Sequence, residues 1–421
     1  MKCFYCEKEN QDLLIDEGLI KFCKYCSGIY KSCSKGHIIP YYSVYCPICG
    51  IKVTQDSLNN SPWFIDNFMG KRPIKFSDPI SVSEIKYNIL YDFCFYIYWI
   101  LIDEKNNIFI FDIINRKIEK RKSLSGKIIK ARQFHNYLFV LNNNELIKID
   151  LPGLILQNEN FQIKILDNVQ DYTVSYDSVY IISNNKIYQC PHDGNLREFK
   201  ELNKKLVIEE EIKKSNFLKL FYNNNVLYLF IEYQSDLKLV LYSIEEGFIN
   251  RNNSLKEIFK QDLDFDMDRI IFATGESDFA FSFGDDTLIM AVTKDILGNK
   301  RNHHKVQFDD CINGLSFLKD KVIVTSNQNI ILLDIYNLTD KKNINCITTA
   351  NDKVFISADK KFFFYPQRDQ INSKLIFCNN RGNSVLRTSN VNVLDFIYQM
   401  VNGRLVILGK KGNSRNIWIQ Q

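Results

Sequence analysis

The chain has 421 residues, 45% of them hydrophobic and 24% charged, with a net charge of +5. That is enough apolar material for a large core without help from a metal, and it excludes an intrinsically disordered chain. The mild positive balance excludes the dense Lys/Arg footprint of a dedicated nucleic-acid binder, and the richness in Lys and Asn reads as coding bias rather than a binding feature.

The chain opens Met1-Lys2-Cys3-Phe4-Tyr5-Cys6, with no apolar export segment behind it. The most apolar run, Phe93 to Ile102, is about half the length that spans a bilayer. A cytoplasmic location without membrane contact is therefore expected. In that reducing compartment, cysteines paired in sequence point to metal rather than to disulfides.

Eight candidate ligands fall in the first fifty residues: Cys3-x2-Cys6, Cys23-x2-Cys26, Cys33-x3-His37 and Cys46-x2-Cys49. A Cys-x2-Cys turn aims two thiolates at one point and supplies half of a tetrahedral zinc site. Four half-sites make two closed sites, so two structural Zn2+ ions are expected, with no coordination position left open for catalysis. Gly50 after Cys49, and Gly36 beside His37, ease the tight bends such knuckles need. The stretch Asp12 to Ile20 suits a short hairpin between the first two knuckles.

The segments Cys33-Ser34-Lys35-Gly36-His37-Ile38-Ile39-Pro40 and Tyr45-Cys46-Pro47-Ile48-Cys49-Gly50 resemble the second half of double zinc ribbons. Those modules are fused to many bacterial signalling and interaction domains. The resemblance covers about an eighth of the chain. It implies metal binding without naming a task. Cys33-x3-His37 departs from the Cys-x2-Cys the family often carries, which singles out His37 among the eight. Two ligand pairings stay open. Sequential pairing joins Cys3, Cys6, Cys23 and Cys26, then Cys33, His37, Cys46 and Cys49, so that each half closes as its own ribbon. An interleaved cross-brace, as in RING or FYVE-like modules, joins the first pair to the third and the second to the fourth.

Residues 53–74 read as a linker and docking segment, polar from Thr54 to Pro62 and then carrying Trp63-Phe64-Ile65 and Phe68-Met69. These aromatics are expected to pack the ribbons of residues 1–52 against the domain that follows.

From residue 75 to 421 short β-branched and aromatic runs alternate with Asn, Asp and Gly turns, and no long helical stripe is present. A unit of strand, tight turn and strand recurs. It is clearest at Tyr137–Asp150, Ser178–Cys190, Lys321–Asp334, Lys353–Tyr365 and Arg404–Ile419, and looser at Phe93–Phe111, Val226–Tyr242 and Phe279–Val292. About eight units at a period of roughly forty to fifty residues predict an all-β propeller of seven or eight blades. The hairpin resembles the middle of a WD40-like blade, although the Gly-His and Trp-Asp signatures are absent. A pair of β-sandwiches is the alternative. The last unit lacks an outer strand, and the segment Lys75 to Val82 is expected to supply it.

No constellation in this region reads as an active site. His135, His192 and the pair His303–His304 have no third ligand nearby in sequence, and Cys94, Cys190, Cys311, Cys346 and Cys378 are scattered as structural thiols are. Gly-rich phosphate loops are missing, and the acidic run Asp262 to Asp268 lacks the glycine and distal Glu of a calcium loop. The expected function is a non-enzymatic scaffold that binds protein partners, and the family resemblance places it in a bacterial signalling or defence assembly. Three rivals remain. The ribbons carry Lys21, Lys24, Lys31 and Lys35 among Phe22, Tyr25 and Tyr30, a mixture that suits nucleic acid. An enzyme site at a propeller's central channel is the second. A ubiquitin-ligase-like cross-brace, which interleaved ligand pairing favours, is the third.

Overall fold

A computed structural model describes most of residues 76–419, leaving out, among shorter stretches, 192–199, 202–216, 260–269, 346–353 and 388–395. Within residues 1–75 it describes four short strands. Leu13–Asp16 pairs antiparallel with Ile20–Cys23, the hairpin expected between the first two knuckles, and Tyr30–Ser32 pairs with Ile38–Pro40.

Eight larger antiparallel sheets follow among the described residues, in chain order. Sheet 1 is Ile89–Phe95, Tyr98–Asp103, Asn107–Asp112 and Lys117–Ser123. Sheet 2 is Ile128–Phe134, Tyr137–Asn142, Glu145–Asp150 and Gln162–Leu166. Sheet 3 is Val169–Val174, Ser178–Ser183, Lys186–Pro191 and Lys200–Glu201. Sheet 4 is Phe217–Asn223, Val226–Tyr233, Asp236–Glu245 and Phe248–Asn250, with Ser254–Phe259 also pairing its third strand. Sheet 5 is Ile271–Thr274, Asp278–Ser282, Thr287–Val292 and His303–Gln307. Sheet 6 is Ile312–Leu318, Lys321–Ser326, Asn329–Asp334 and Lys341–Asn345. Sheet 7 is Phe355–Ile356, Phe362–Arg368, Ser373–Asn379 and Ser384–Arg387. Sheet 8 is Phe396–Val401, Arg404–Lys411 and Ser414–Ile419, completed by Ile80–Ser81.

Each unit read from the sequence thus contributes the hairpin of one sheet. In sheet 7 the unit lies one strand early. Phe355–Ile356 pairs with Phe362–Arg368, but the long central pairing is between Phe362–Arg368 and Ser373–Asn379. The apolar run Phe362–Tyr365 gives no sign that its strand continues through Pro366, so the second partner went unread. The outer strand of sheet 8 is the expected one: Ile80 lies opposite Ile417 and Ser81 opposite Asn416, with Ser77 N donating to Ile419 O at 2.8 Å.

The chain divides into two compact units. The first, residues 1–143, 147–164 and 354–421, holds sheets 1, 7 and 8 and most of sheet 2; the second, residues 144–146 and 165–353, holds sheets 3 to 6. In the first, the period of two along a strand sends alternate side chains into two different cores. Trp99 and Leu101 pack with Val406, Leu408 and Ile417 of sheet 8, while their neighbours Ile100 and Ile102 pack with Leu138, Val140 and Ile147 of sheet 2. In the second, Leu227 and Leu229 of sheet 4 meet Tyr180 and Ile182 of sheet 3, while Tyr228 and Phe230 meet Phe279 and Phe281 of sheet 5. Ring centroids of Tyr228 and Phe279 are 5.2 Å apart and those of Phe230 and Phe281 5.1 Å. A sandwich buries one face of each sheet, whereas sheets 1, 4 and 5 bury both. For that reason the middle strands read as unbroken apolar runs.

Turns use the residues the sequence holds in excess. Six of the nine described non-glycine residues with positive φ are Asn106, Asn143, Asn144, Asn168, Asn184 and Asn225. Asn tolerates the left-handed region where other L-residues are strained, so at these positions the Asn richness has a conformational role beyond coding bias. Among the described residues two five-residue helices interrupt the pattern, α1 (Leu151–Ile155) and α2 (Thr293–Leu297). α1 is capped by Asp150, whose Oδ2 accepts from Gly153 N at 2.8 Å. Among the described residues no helix is long and apolar enough to cross a membrane.

Candidate interaction surface

Of the eight metal ligands expected from sequence, Cys3, Cys6, Cys26, Cys33, His37, Cys46 and Cys49 lie outside the described residues. Cys23 is described only as the last residue of its strand, opposite Leu13. No group of three or more His, Cys, Asp or Glu able to hold a metal occurs among the described residues. His135, His192, Cys346 and the acidic run Asp262–Asp268 are also outside them. His303 and His304 sit on the outermost strand of sheet 5, opposite Ala291 and Met290. Of the thiols beyond the head, Cys190 and Cys378 are buried, Cys94 is half-buried and Cys311 is exposed.

The first strands of the sheets carry the polar chemistry. In the first compact unit, Asp92 Oδ2 accepts from Trp99 Nε1 at 3.2 Å and from Gln399 Nε2 at 2.9 Å, tying sheet 8 to sheet 1. Gln133 Nε2 donates to Cys94 O at 2.8 Å and Tyr91 Oη to Ile129 O at 2.9 Å, tying sheet 2 to sheet 1. Burial raises the Tyr91 pKa, partly offset by the Arg132 guanidinium, so the phenol stays a neutral donor. In the second unit, Leu220 N donates to Asp171 Oδ2 at 2.7 Å and Asn223 Nδ2 to Gly275 O at 3.1 Å. There the Tyr228 hydroxyl meets Thr293 Oγ1 at 3.0 Å, and burial pushes its pKa up to about 12.

Four first strands begin with the same irregularity. The register shifts between Ile89 and Tyr91, Ile128 and Lys130, Val169 and Asp171, and Ile312 and Gly314. A β-bulge leaves its extra residue unopposed on the partner strand. Those residues are Leu90 (51% exposed), Ile129 (47%), Gln170 and Asn313.

Around Leu90 and Ile129 the loops are fixed. Asp103 Oδ1 accepts from Lys105 N and Asn107 N, both at 2.9 Å. Asn88 O accepts from Glu104 N at 2.8 Å, and Asn88 Oδ1 from Arg415 at 2.9 Å. Asn143 N donates to Lys127 O at 3.0 Å, while Asn143 Oδ1 accepts from Lys127 N at 2.8 Å. Tyr87 stands exposed beside them, its ring under Lys105 at 5.7 Å. In the sequence Leu90 and Ile129 follow Ile89 and Ile128 and look like core residues beside them. Only the register shift, which needs the partner strand, puts them on the outside.

No family model matches the sequence, and no curated protein matches it. Among solved structures the chain is similar to the Dos1 propeller, at 12% identity and a TM-score of 0.53, covering 84% of this chain and 96% of that one. It is similar to the computationally designed Ika8 protein at 10% identity and a TM-score of 0.51, covering 80% of this chain and 98% of that one. BamB from Moraxella catarrhalis aligns at 10% identity with a TM-score of 0.49, over 83% of this chain and 98% of its own. At these identities likeness speaks to fold alone. The likeness to the Dos1 propeller, together with the series of four-stranded sheets, makes this an all-β chain with the β-propeller fold.

Proposed function

We propose that the chain is a zinc-stabilised scaffold that binds protein partners through an eight-bladed propeller, with a double zinc ribbon at its head. The observation that carries this reading is the set of repeated sheets whose first strands are latched side by side and whose turns are pinned by Asp and Asn side chains. Loops held this way lose little entropy when a partner binds. The zinc part rests on donor chemistry: seven thiols and one imidazole match two closed tetrahedral sites. It is supported by the hairpin linking the chain after Cys6 to the strand that ends at Cys23. Bound zinc folds the ribbons, and Cys3, Cys6, Cys23 and Cys26, then Cys33, His37, Cys46 and Cys49, hold it.

The test is crosslinking mass spectrometry on the full chain in cells of its source, with metal analysis of the purified protein. Reproducible crosslinks from the propeller loops to one or a few proteins are expected, with about two zinc ions per chain. A chain that crosslinks only to itself contradicts the scaffold reading. A metal-free chain contradicts the ribbon.

A further inference from the structure

The repeat supplies its own control for what the fold requires at the bulge. That position is unopposed in sheets 1, 2, 3 and 6, and the exposed Gln170 and half-buried Asn313 satisfy it in two of them. Bulge geometry therefore does not call for an apolar side chain, yet sheets 1 and 2 place Leu90 and Ile129 there, 51% and 47% exposed. The two bulges are linked, since Tyr91, next to Leu90 in the chain, donates its Oη to Ile129 O at 2.9 Å. Tyr87, 40% exposed, lies three residues before Leu90.

The charge around it has one sign in excess. Lys130 and Arg132 follow Ile129 on its strand, Lys127 directly precedes that strand, and Lys105 covers Tyr87. Against these stand Glu104, at 3.4 Å from Asn88 Nδ2, and Glu84, which Lys86 two residues on offsets. Cations around exposed aliphatic tips are complementary to carboxylates flanking an apolar anchor.

We propose that this end of sheets 1 and 2 is the docking site for a peptide segment of a partner protein, one that carries aliphatic or aromatic anchors flanked by Asp or Glu. The segment lays its anchors against Leu90, Ile129 and Tyr87 and its carboxylates against Lys105, Lys127 and Arg132. The proposal deepens the scaffold reading and rests on it.

The probe is a displayed random dodecapeptide library, selected on the full wild-type chain and read against the Leu90→Ser/Ile129→Ser double variant. Both side chains are half exposed, so the variant is expected to keep the wild-type melting temperature within a few degrees, which a thermal melt checks. Selected peptides should be rich in Leu, Ile, Phe or Trp beside Asp or Glu. Their synthetic copies should bind the variant roughly tenfold more weakly and weaken with added salt. A Lys127→Glu/Arg132→Glu variant, which leaves the apolar tips in place, should weaken them as well. Failure to enrich any motif, enrichment of basic peptides, or equal binding to wild type and variants overturns the proposal. Sedimentation that finds the wild-type chain self-associating and the double variant monomeric also overturns it, with a second copy as the occupant. Cellular crosslinks that persist in the double variant sink this site while leaving the scaffold reading intact; their absence from the wild-type chain sinks both.

Discussion

At the scale of single residues, stability rests on polar groups that the fold has taken out of water and paired. Asp92 accepts from Trp99 Nε1, on a residue with no solvent exposure, and from Gln399 Nε2, so truncating it removes an acceptor from both. Asp92→Ala is expected to cost about 1–3 kcal/mol in urea denaturation, and Gln399→Ala less, since it removes one donor of the pair. Gly126 has φ +74°, and a Cβ there would run into the Asn143 side chain. Gly126→Ala should therefore cost about 1 kcal/mol or more, whereas alanine at the exposed Ser125 should be close to neutral in the same melt. Asp334 gives a pH prediction. Burial alone raises its pKa, but Lys321 at 3.0 Å and the N–H groups of Tyr336 and Asn337 outweigh it and hold the value below 3.8. A lowered folded pKa means the contribution is present above the unfolded value and is lost as pH falls through the folded one. The melting temperature of Asp334→Asn should lie below wild type at neutral pH, with the gap closing as pH falls below about 4.

At the scale of elements, the informative pieces join distant parts of the sequence. Ile80–Ser81 completes sheet 8 from the far end of the chain, with Val82 N donating to Arg415 O at 3.0 Å beside the pairing. A chain begun at Phe76 keeps this strand, whereas one begun at Ser83 exposes the edge of Ser414–Ile419 and uncovers the core that Val82 fills. The shorter form is expected to melt lower and scatter light on warming, measured side by side with the longer. The need for that strand was legible because the last unit is one strand short. The sheet 1 and sheet 2 bulges were not, because an inserted residue changes which face each later side chain takes. The two short helices were equally silent, since five residues hold barely more than one helical turn.

At the scale of the whole molecule, the proposed head and the propeller call for different experiments. Cobalt substitution reads the ligand pairing. Sequential pairing gives one all-sulfur site and one site containing His37, so Cys3→Ser should remove the all-sulfur spectrum and spare the mixed one. A cross-brace places Cys3 with His37 and reverses that outcome. What the sequence determined by itself is local. The apolar runs and their Asn and Asp turns made strands and hairpins. Their even recurrence made a repeat, and eight metal-type side chains at knuckle spacing made a zinc expectation. Each of these follows from neighbours within a few bonds along the chain. The tertiary structure alone decided that sheets bury both faces, that Asp92 and Gln133 latch adjoining first strands, and that Leu90 and Ile129 emerge in solvent at bulges linked by Tyr91. Register and sheet-to-sheet contact depend on residues tens to hundreds of positions apart, and no local pattern encodes which of them will meet.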